Sequence, residues 1–251
     1  MKNNLKHSKT IKTNYIPKSE LNQFKKPYNS TIAFYNLLSK LKLFNKNTKR
    51  IIDVGTGIGS NLQYFSNQQK NISFLGTDYQ SHLIKLAKKL NKNNRIKFRR
   101  LNILKNISPL RDQFDGLLCI HTLCCFKKLD KVIKNMCGIK PRWIAINSLF
   151  FDGNLDVMIH IRDHNNKKIN DKNPNADFNI FSLTKTEKIF KKNGYNLIVK
   201  RPYFPDKPIK KHGKKRGSYT ISTEINKNTT FSGPVYLPWY FLVAKKNEKK
   251  K

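Results

Sequence analysis

The chain has 251 residues, 38% of them hydrophobic, and its 51 Lys and Arg against 15 Asp and Glu give a formal net charge of +36. That length suits one α/β domain with insertions or a small appendage; no run of about 18 apolar residues is available to span a bilayer, and the basic segment 1–12 lacks the apolar stretch of a secretory signal. The charge would attract nucleic acid, anionic lipid or phosphorylated substrates, but lysines are scattered along the whole chain among asparagines and isoleucines, as an AT-rich coding sequence produces, so composition is preferred to a dedicated nucleic-acid surface.

Residues 1–27 read as a basic flexible tail with few apolar anchors. From Tyr28 a helix is expected, capped by Asn29 or Ser30, with Ile32, Phe34, Leu37, Leu38, Leu41 and Leu43 at mostly helical spacing. Tyr28 can lean over a ligand or simply staple the helix start. A strand over Arg50–Val54 then runs into Asp53-Val54-Gly55-Thr56-Gly57-Ile58-Gly59-Ser60. Alternate glycines leave bare backbone that a ligand can approach, and free N–H groups at the start of the following helix suit polar or anionic groups. Ser60 occupies the place of the last glycine in G-x-G-x-x-G, so the dinucleotide pattern is incomplete, while Asp53 suits a ligand carrying positive charge.

The second strand, residues 72–76, ends at Thr77-Asp78, where a carboxylate can accept both hydroxyls of a ribose. A helix over Ser81–Leu90 should turn Leu83, Leu86 and Leu90 inward and Lys85, Lys88 and Lys89 outward. A strand over 95–99 leads to the turn Leu101-Asn102-Ile103. Phe114–Ile120 is almost wholly apolar, as a central parallel strand should be, and delivers His121-Thr122-Leu123 to the sheet's C-terminal edge. A helix near 129–137 and a strand at 143–148 continue the alternation, which points to a doubly wound α/β sheet with ligands at the strands' carboxyl ends.

The glycine turn after an acid, Asp78, Asn102 and the 114–121 strand agree in order and spacing, and together they resemble the core of class I S-adenosylmethionine-dependent methyltransferases. The resemblance implies a Rossmann-like, mostly parallel seven-stranded sheet with an antiparallel last strand (239–244) between the fifth and sixth, and inserts over the C-terminal edge. It divides the chain into the tail 1–27, a cofactor-binding core 28–149, the remainder of the sheet with acceptor-binding inserts 150–244 (about 150–178 and 203–236), and a basic tail 245–251. On matching positions it implies that Asp53, Gly55, Thr56, Gly57 and Gly59 hold the methionyl part of S-adenosylmethionine, that Asp78, followed by Tyr79, holds the ribose, and that Asn102 with Ile103 meets the adenine. The family usually carries Asp where Asn102 stands; the Asn oxygen can still accept that hydrogen bond. Cys119 and His121 would border the methyl group.

Beyond residue 149 a helix is expected over 181–192 with Asn193-Gly194 as its stop, then a strand at 196–200, and segments 218–224 and 229–236 as a small hairpin. His121 is a candidate general base, with a histidine bonded only to its loop as the alternative. Arg162 could grip an anionic acceptor, and Tyr219, Tyr236 and Trp239 could line its pocket. His160, Arg162, Asp163 and His164 lie close together, but an exposed polar loop is preferred there and no metal is expected. Cys119, Cys124, Cys125 and Cys137 show no C-x-x-C spacing and read as reduced core thiols of a cytoplasmic protein.

No Asn/Asp-Pro-Pro-aromatic motif or Pro-Cys pair follows the fourth strand, which argues against amino methylation of nucleobases and cytosine C5 methylation. O-methylation, or a less demanding N-methylation, of a small-molecule or sugar acceptor is favoured. An RNA methyltransferase using the lysine-rich surface is the alternative, and a non-catalytic binding module on the same fold the third reading. The oligomeric state stays open.

Overall fold

The computed structural model describes residues 21–105, 107–161, 176–210, 218–222, 229–232, 235 and 237–247. Helix α1 (Asn29–Lys40) precedes β1 (Arg50–Val54), α2 (Ser60–Gln68), β2 (Ser73–Asp78), α3 (Ser81–Leu90) and β3 (Ile96–Arg100). Next come β4 (Gly116–Ile120), α4 (Leu129–Gly138) and β5 (Trp143–Phe151). The short strands β6 (His160–Ile161), β7 (Ala176–Asp177) and β8 (Phe181–Ser182) lead to α5 (Leu183–Lys192), β9 (Tyr195–Tyr203), β10 (Ser218–Ile221), β11 (Thr229–Ser232) and β12 (Trp239–Lys246).

The central sheet runs β3-β2-β1-β4-β5-β12-β9, with β8 added alongside the end of β5. Strands β3 through β5 are parallel to one another, and β12 is antiparallel to both β5 and β9. Side chains of a strand alternate between the two faces, and the core divides accordingly. Ile51, Leu118 and Ala145 pack under α1, α2 and α3 with Phe34, Leu62 and Ile84. Ile52, Leu117, Cys119 and Ile144 pack under α4 and α5 with Val132, Met136 and Phe190. Both faces are covered, which is why β4 is buried at every residue and reads as a continuous apolar run.

Several local expectations shift. Helix α1 starts behind Tyr28, which takes the N-cap position without a side-chain hydrogen bond, so neither Asn29 nor Ser30 caps it. In α3 the buried residues are Ile84 and Ala87, while Leu83, Leu86 and Leu90 are half-buried. This helix packs on β2 and β3 at the end of the sheet, where the leucines flanking the contact line have less to cover them. Phe181 and Ser182 do not open a helix: they pair with β5, and Ser182 Oγ accepts from Lys185 N at 3.0 Å, capping α5 two residues later. Strand β12 extends through Lys246, so the basic tail does not begin at Lys245.

The end of the N-terminal segment is also anchored. Ser60 Oγ donates to Gln23 Oε1 at 3.1 Å, and Thr31 Oγ1 donates to Asn61 Oδ1 at 2.8 Å. Residues 21–31 therefore cross the start of α2 beside the glycine turn. The hairpin expected near 218–236 is present as the antiparallel pair β10–β11.

Candidate active site

The turn after β1 is held by its own backbone. Gly55 N and Thr56 N both donate to Thr77 O, at 2.8 and 2.9 Å, and Gly59 N donates to Thr56 O at 2.9 Å. All three glycines have positive φ, of 79°, 56° and 84°, a region costly to residues with a Cβ. Their bareness serves different ends. A Cβ on Gly55 would lie 2.1 Å from Thr122 Cγ2, and one on Gly59 2.6 Å from Phe98 Cζ, so protein side chains already fill those spaces. A Cβ on Gly57 would meet nothing within 4 Å. Only Gly57 thus opens the turn to a ligand, a narrower role than three bare glycines suggest.

Two carboxylates stand behind this opening. Asp53 is 1% exposed, and neither its Oδ1 nor Thr56 Oγ1 has a hydrogen-bond partner among the described residues. Burial lifts the Asp53 carboxyl to about 7, and the Asp78 charge adds to the rise. The Thr56 hydroxyl favours the charged form, but it lies outside hydrogen-bond geometry, so burial prevails. Asp78 accepts from Gly57 N at 3.1 Å through Oδ2 and from Gln80 N at 2.9 Å through Oδ1. Burial raises its carboxyl too, restrained by those two N–H groups. Each Asp78 oxygen keeps lone pairs beyond its backbone bond. Orphaned buried acceptors are costly, and in a chain of net charge +36 two close carboxylates at one turn fit a polar ligand bearing positive charge.

On the adenine side, Asn102 Oδ1 accepts from Leu104 N at 2.9 Å, so its side chain shapes its own turn. Ile103 is 3% exposed and packs into the core on the α4 side, with its carbonyl taken by Asn135 Nδ2 at 2.6 Å. Its side chain does not line the cleft. Cys119 is likewise 0% exposed and points to the α4 face with Ile52 and Val54. It does not border a cleft, because alternation along β4 assigns it to the core; burial pushes its thiol up. Tyr79 follows Asp78, and its carbonyl accepts from Arg100 Nε at 3.0 Å.

On the acceptor side, His121 leaves the end of β4 at φ 56°, and its N–H donates to Asn147 O at 2.8 Å. Its Nε2 lies 3.0 Å from Asn147 Nδ2. The Trp239 ring meets it edge-on at 4.7 Å, the Tyr28 ring lies 6.4 Å away, and Phe178 backs Trp239 at 5.9 Å. His121 is half-buried at the surface of the cleft but ringed by protein, and the loss of water around it pulls its pKa down to about 4. The imidazole is therefore neutral at physiological pH. The next residue, Thr122, donates from Oγ1 to Gly55 O at 2.9 Å, joining this wall to the glycine turn.

Of the acceptor residues expected from sequence, Trp239 joins His121 and its Nε1 donates to Ser218 Oγ at 3.1 Å. Tyr219 instead stacks on Phe231 at 5.0 Å across β10–β11. Arg162, Asp163, His164 and Tyr236 lie outside the described residues. His160 Nδ1 is 2.7 Å from Asp177 Oδ1, and among the described residues no three His, Cys, Asp or Glu side chains form a metal-binding group. Sequence reading missed Asn147. A lone amide within the buried strand β5 was the signal, since buried polar groups need partners.

Residues 52–138 match the family model described as "Methyltransferase domain". No curated protein matches the chain. Among solved structures, the Burkholderia thailandensis 1,6-didemethyltoxoflavin-N1-methyltransferase with bound 1,6-didemethyltoxoflavin and S-adenosylhomocysteine is similar over 92% of this chain and 84% of its own, with 11% identity and a TM-score of 0.57. A putative sarcosine dimethylglycine methyltransferase from Galdieria sulphuraria is similar over 87% and 85%, with 14% identity and a TM-score of 0.57. The CurJ carbon methyltransferase covers 92% of this chain and 59% of its own, at 10% identity and a TM-score of 0.56. At such identities the likeness is one of fold.

Residues 52–138 therefore carry a methyltransferase domain, and the sheet order and the glycine turn are those of the class I S-adenosylmethionine-dependent methyltransferase fold. The cofactor of that class is S-adenosylmethionine, and among the described residues no helix is long and apolar enough to cross a membrane.

Proposed function

We propose that this enzyme methylates a small-molecule or sugar acceptor on oxygen, with 28–149 holding the cofactor and lending Tyr28, His121 and Asn147 to the acceptor side, which 150–244 completes with Trp239. When bound, S-adenosylmethionine supplies a methyl group on a sulfonium, open to in-line displacement by a nucleophile. Gly57 would admit the methionyl part, with Asp53 and Thr56 as its unsatisfied polar partners, and Asp78 would take the ribose. Asn102 would stand at the adenine edge. Tyr79 borders the ribose position, and Gly55 and Gly59 act indirectly, by fixing the turn.

The observation that carries the acceptor reading is the neutral enclosure of His121, Trp239, Tyr28 and Asn147, joined to the turn through Thr122. A ring wall without a fixed charge suits a compact, partly apolar acceptor. With the Asn147 amide turned so that its otherwise unpartnered Oδ1 accepts from His121 Nε2–H, Nδ1 would hold the acceptor hydroxyl and receive its proton as the oxygen–methyl bond forms. Its weak basicity limits it to a hydroxyl that is itself fairly acidic or becomes so in the transition state. The four cysteines, all free, suit a reducing compartment such as the cytoplasm.

The test is transfer of labelled methyl groups from the cofactor into a cell extract split into low-molecular-weight, RNA and protein fractions. Label should appear in the low-molecular-weight fraction, in a product stable to base as an ether is. Label confined to RNA would reject the acceptor class while leaving the cofactor site intact.

A further inference from the structure

The cleft described above lies at the C-terminal edge of the parallel strands. The opposite edge, about 17 Å away along a five-residue strand, carries a separate concavity of about 440 Å³, bounded by the turn after α1, the start of β5 and the end of β12. Its lining residues include Lys42, Arg142, Trp143, Lys245 and Lys246 and no Asp or Glu.

The walls are fixed in place. Lys42 sits at φ 54°; its carbonyl accepts from Asn45 Nδ2 at 2.9 Å, and Thr48 Oγ1 closes the same turn by donating to Leu43 O at 2.7 Å. Across the cavity, Lys245 is paired opposite Trp143, and Lys246 N donates to Arg142 O at 3.0 Å. Arg142 is engaged by Asp115 Oδ1 at 3.0 Å and by the Asn47 carbonyl. The ammonium groups of Lys42, Lys245 and Lys246 form no ion pair among the described residues. Trp143 is 4% exposed, and its Nε1–H has no hydrogen-bond partner there.

We propose that this cavity is a second ligand site, which takes a compact oligophosphate, free or carried on a nucleoside. Cations held in one concavity repel one another, and an anion with several charges turns that repulsion into attraction. The volume is that of a small-ligand pocket, whereas a nucleic-acid backbone is tracked by an extended basic stripe or groove. The site is remote from the methyl-transfer cleft and independent of the acceptor's identity.

With Trp239→Phe, Trp143 becomes the only indole of the two in the chain and reports on its own cavity. Sodium tripolyphosphate, ATP and a short single-stranded RNA are titrated separately at about 0.15 M salt, with thermal melting as a check on folding. Tripolyphosphate and ATP should give saturable fluorescence changes and raise the melting temperature. Lys245→Ala/Lys246→Ala should weaken both by about tenfold or more, while Lys88→Ala/Lys89→Ala on α3, which removes the same charge elsewhere, should change them less than about twofold. Absence of saturation at millimolar concentrations would overturn the proposal. So would equal losses in the two double variants, which would reduce the effect to net charge. RNA binding that is tighter than that of tripolyphosphate and is lost in Lys245→Ala/Lys246→Ala would transfer the site to a nucleic-acid backbone and also reject it.

Discussion

From β3 to β4 the strands are all parallel, and the groups facing the cleft are backbone amides and two carboxylates. From the end of β4 onward through β5, β12 and β9 the strand direction comes to alternate, and the facing groups are aromatic rings, an amide and a neutral imidazole. The first half concentrates negative charge at a buried turn and is destabilised by it. The second half avoids fixed charge and relies on enclosure. A cationic cofactor and a neutral acceptor would need just this division, so a substitution in one half should leave the other half's property nearly unchanged.

The largest effect is expected at Asp53. Its carboxyl is held at about 7, against 3.8 for an ordinary one. Between those values the folded protein keeps a proton that the unfolded chain has released, so this group's contribution to stability falls as pH rises from about 4 to 7 and is level above that. Asp53→Asn removes the titration. The variant should be more stable than the parent at pH 8 by about 3 to 4 kcal/mol, with the gap closing toward pH 4, while its affinity for S-adenosylhomocysteine falls. Urea melts at the two pH values measure the first effect and calorimetry the second. His121 works in the opposite sense: its pKa of about 4, below the usual 6.5, makes its contribution full above about 6.5 and lost as pH falls toward 4. Asp53→Asn should therefore expose an acid-side instability that the parent's two opposed groups partly cancel.

The next effect probes the second half. His121→Ala should lower kcat by about 100-fold or more, the usual scale for a lost proton acceptor, and change affinity for S-adenosylhomocysteine by less than about twofold. A parallel loss of cofactor affinity would show that the halves are not separable. Asp78→Ala tests the converse. It removes the ribose partner and the acceptor of Gly57 N–H together, and calorimetry should find S-adenosylhomocysteine bound about 30- to 100-fold more weakly, a loss of some 2 to 3 kcal/mol.

The same division governs what could be read from residues alone. The bounds of β1 and α3, the glycine turn and Asp78 follow from local signals: an apolar run, a strand tip, glycines that tolerate positive φ. Sheet order followed from the resemblance. Side-chain direction was less legible. The resemblance puts Cys119 at the methyl group, yet alternation along β4 turns it into the α4 core, and helical spacing alone turns the three leucines of α3 inward although the sheet ends beneath them. Tyr219 looked like a pocket residue by its neighbourhood in sequence, but its stacking partner Phe231 is fixed by hairpin register, a long-range property. Asn147 became visible as a functional group only when β5 brought it against His121.

The smallest effect tests which glycine faces the ligand. Gly57→Ala keeps a φ of 56°, a left-handed conformation that costs a non-glycine residue about 1 kcal/mol, and its Cβ meets nothing within 4 Å. Thermal melting should therefore show a loss of about 1 kcal/mol and an intact fold. The new methyl group nevertheless occupies the space through which the turn meets its ligand, so S-adenosylhomocysteine affinity should fall further than stability does. Were affinity unchanged, the ligand would not pass over Gly57, and Asp53 and Thr56 behind it would lose the partner that their unsatisfied oxygens imply.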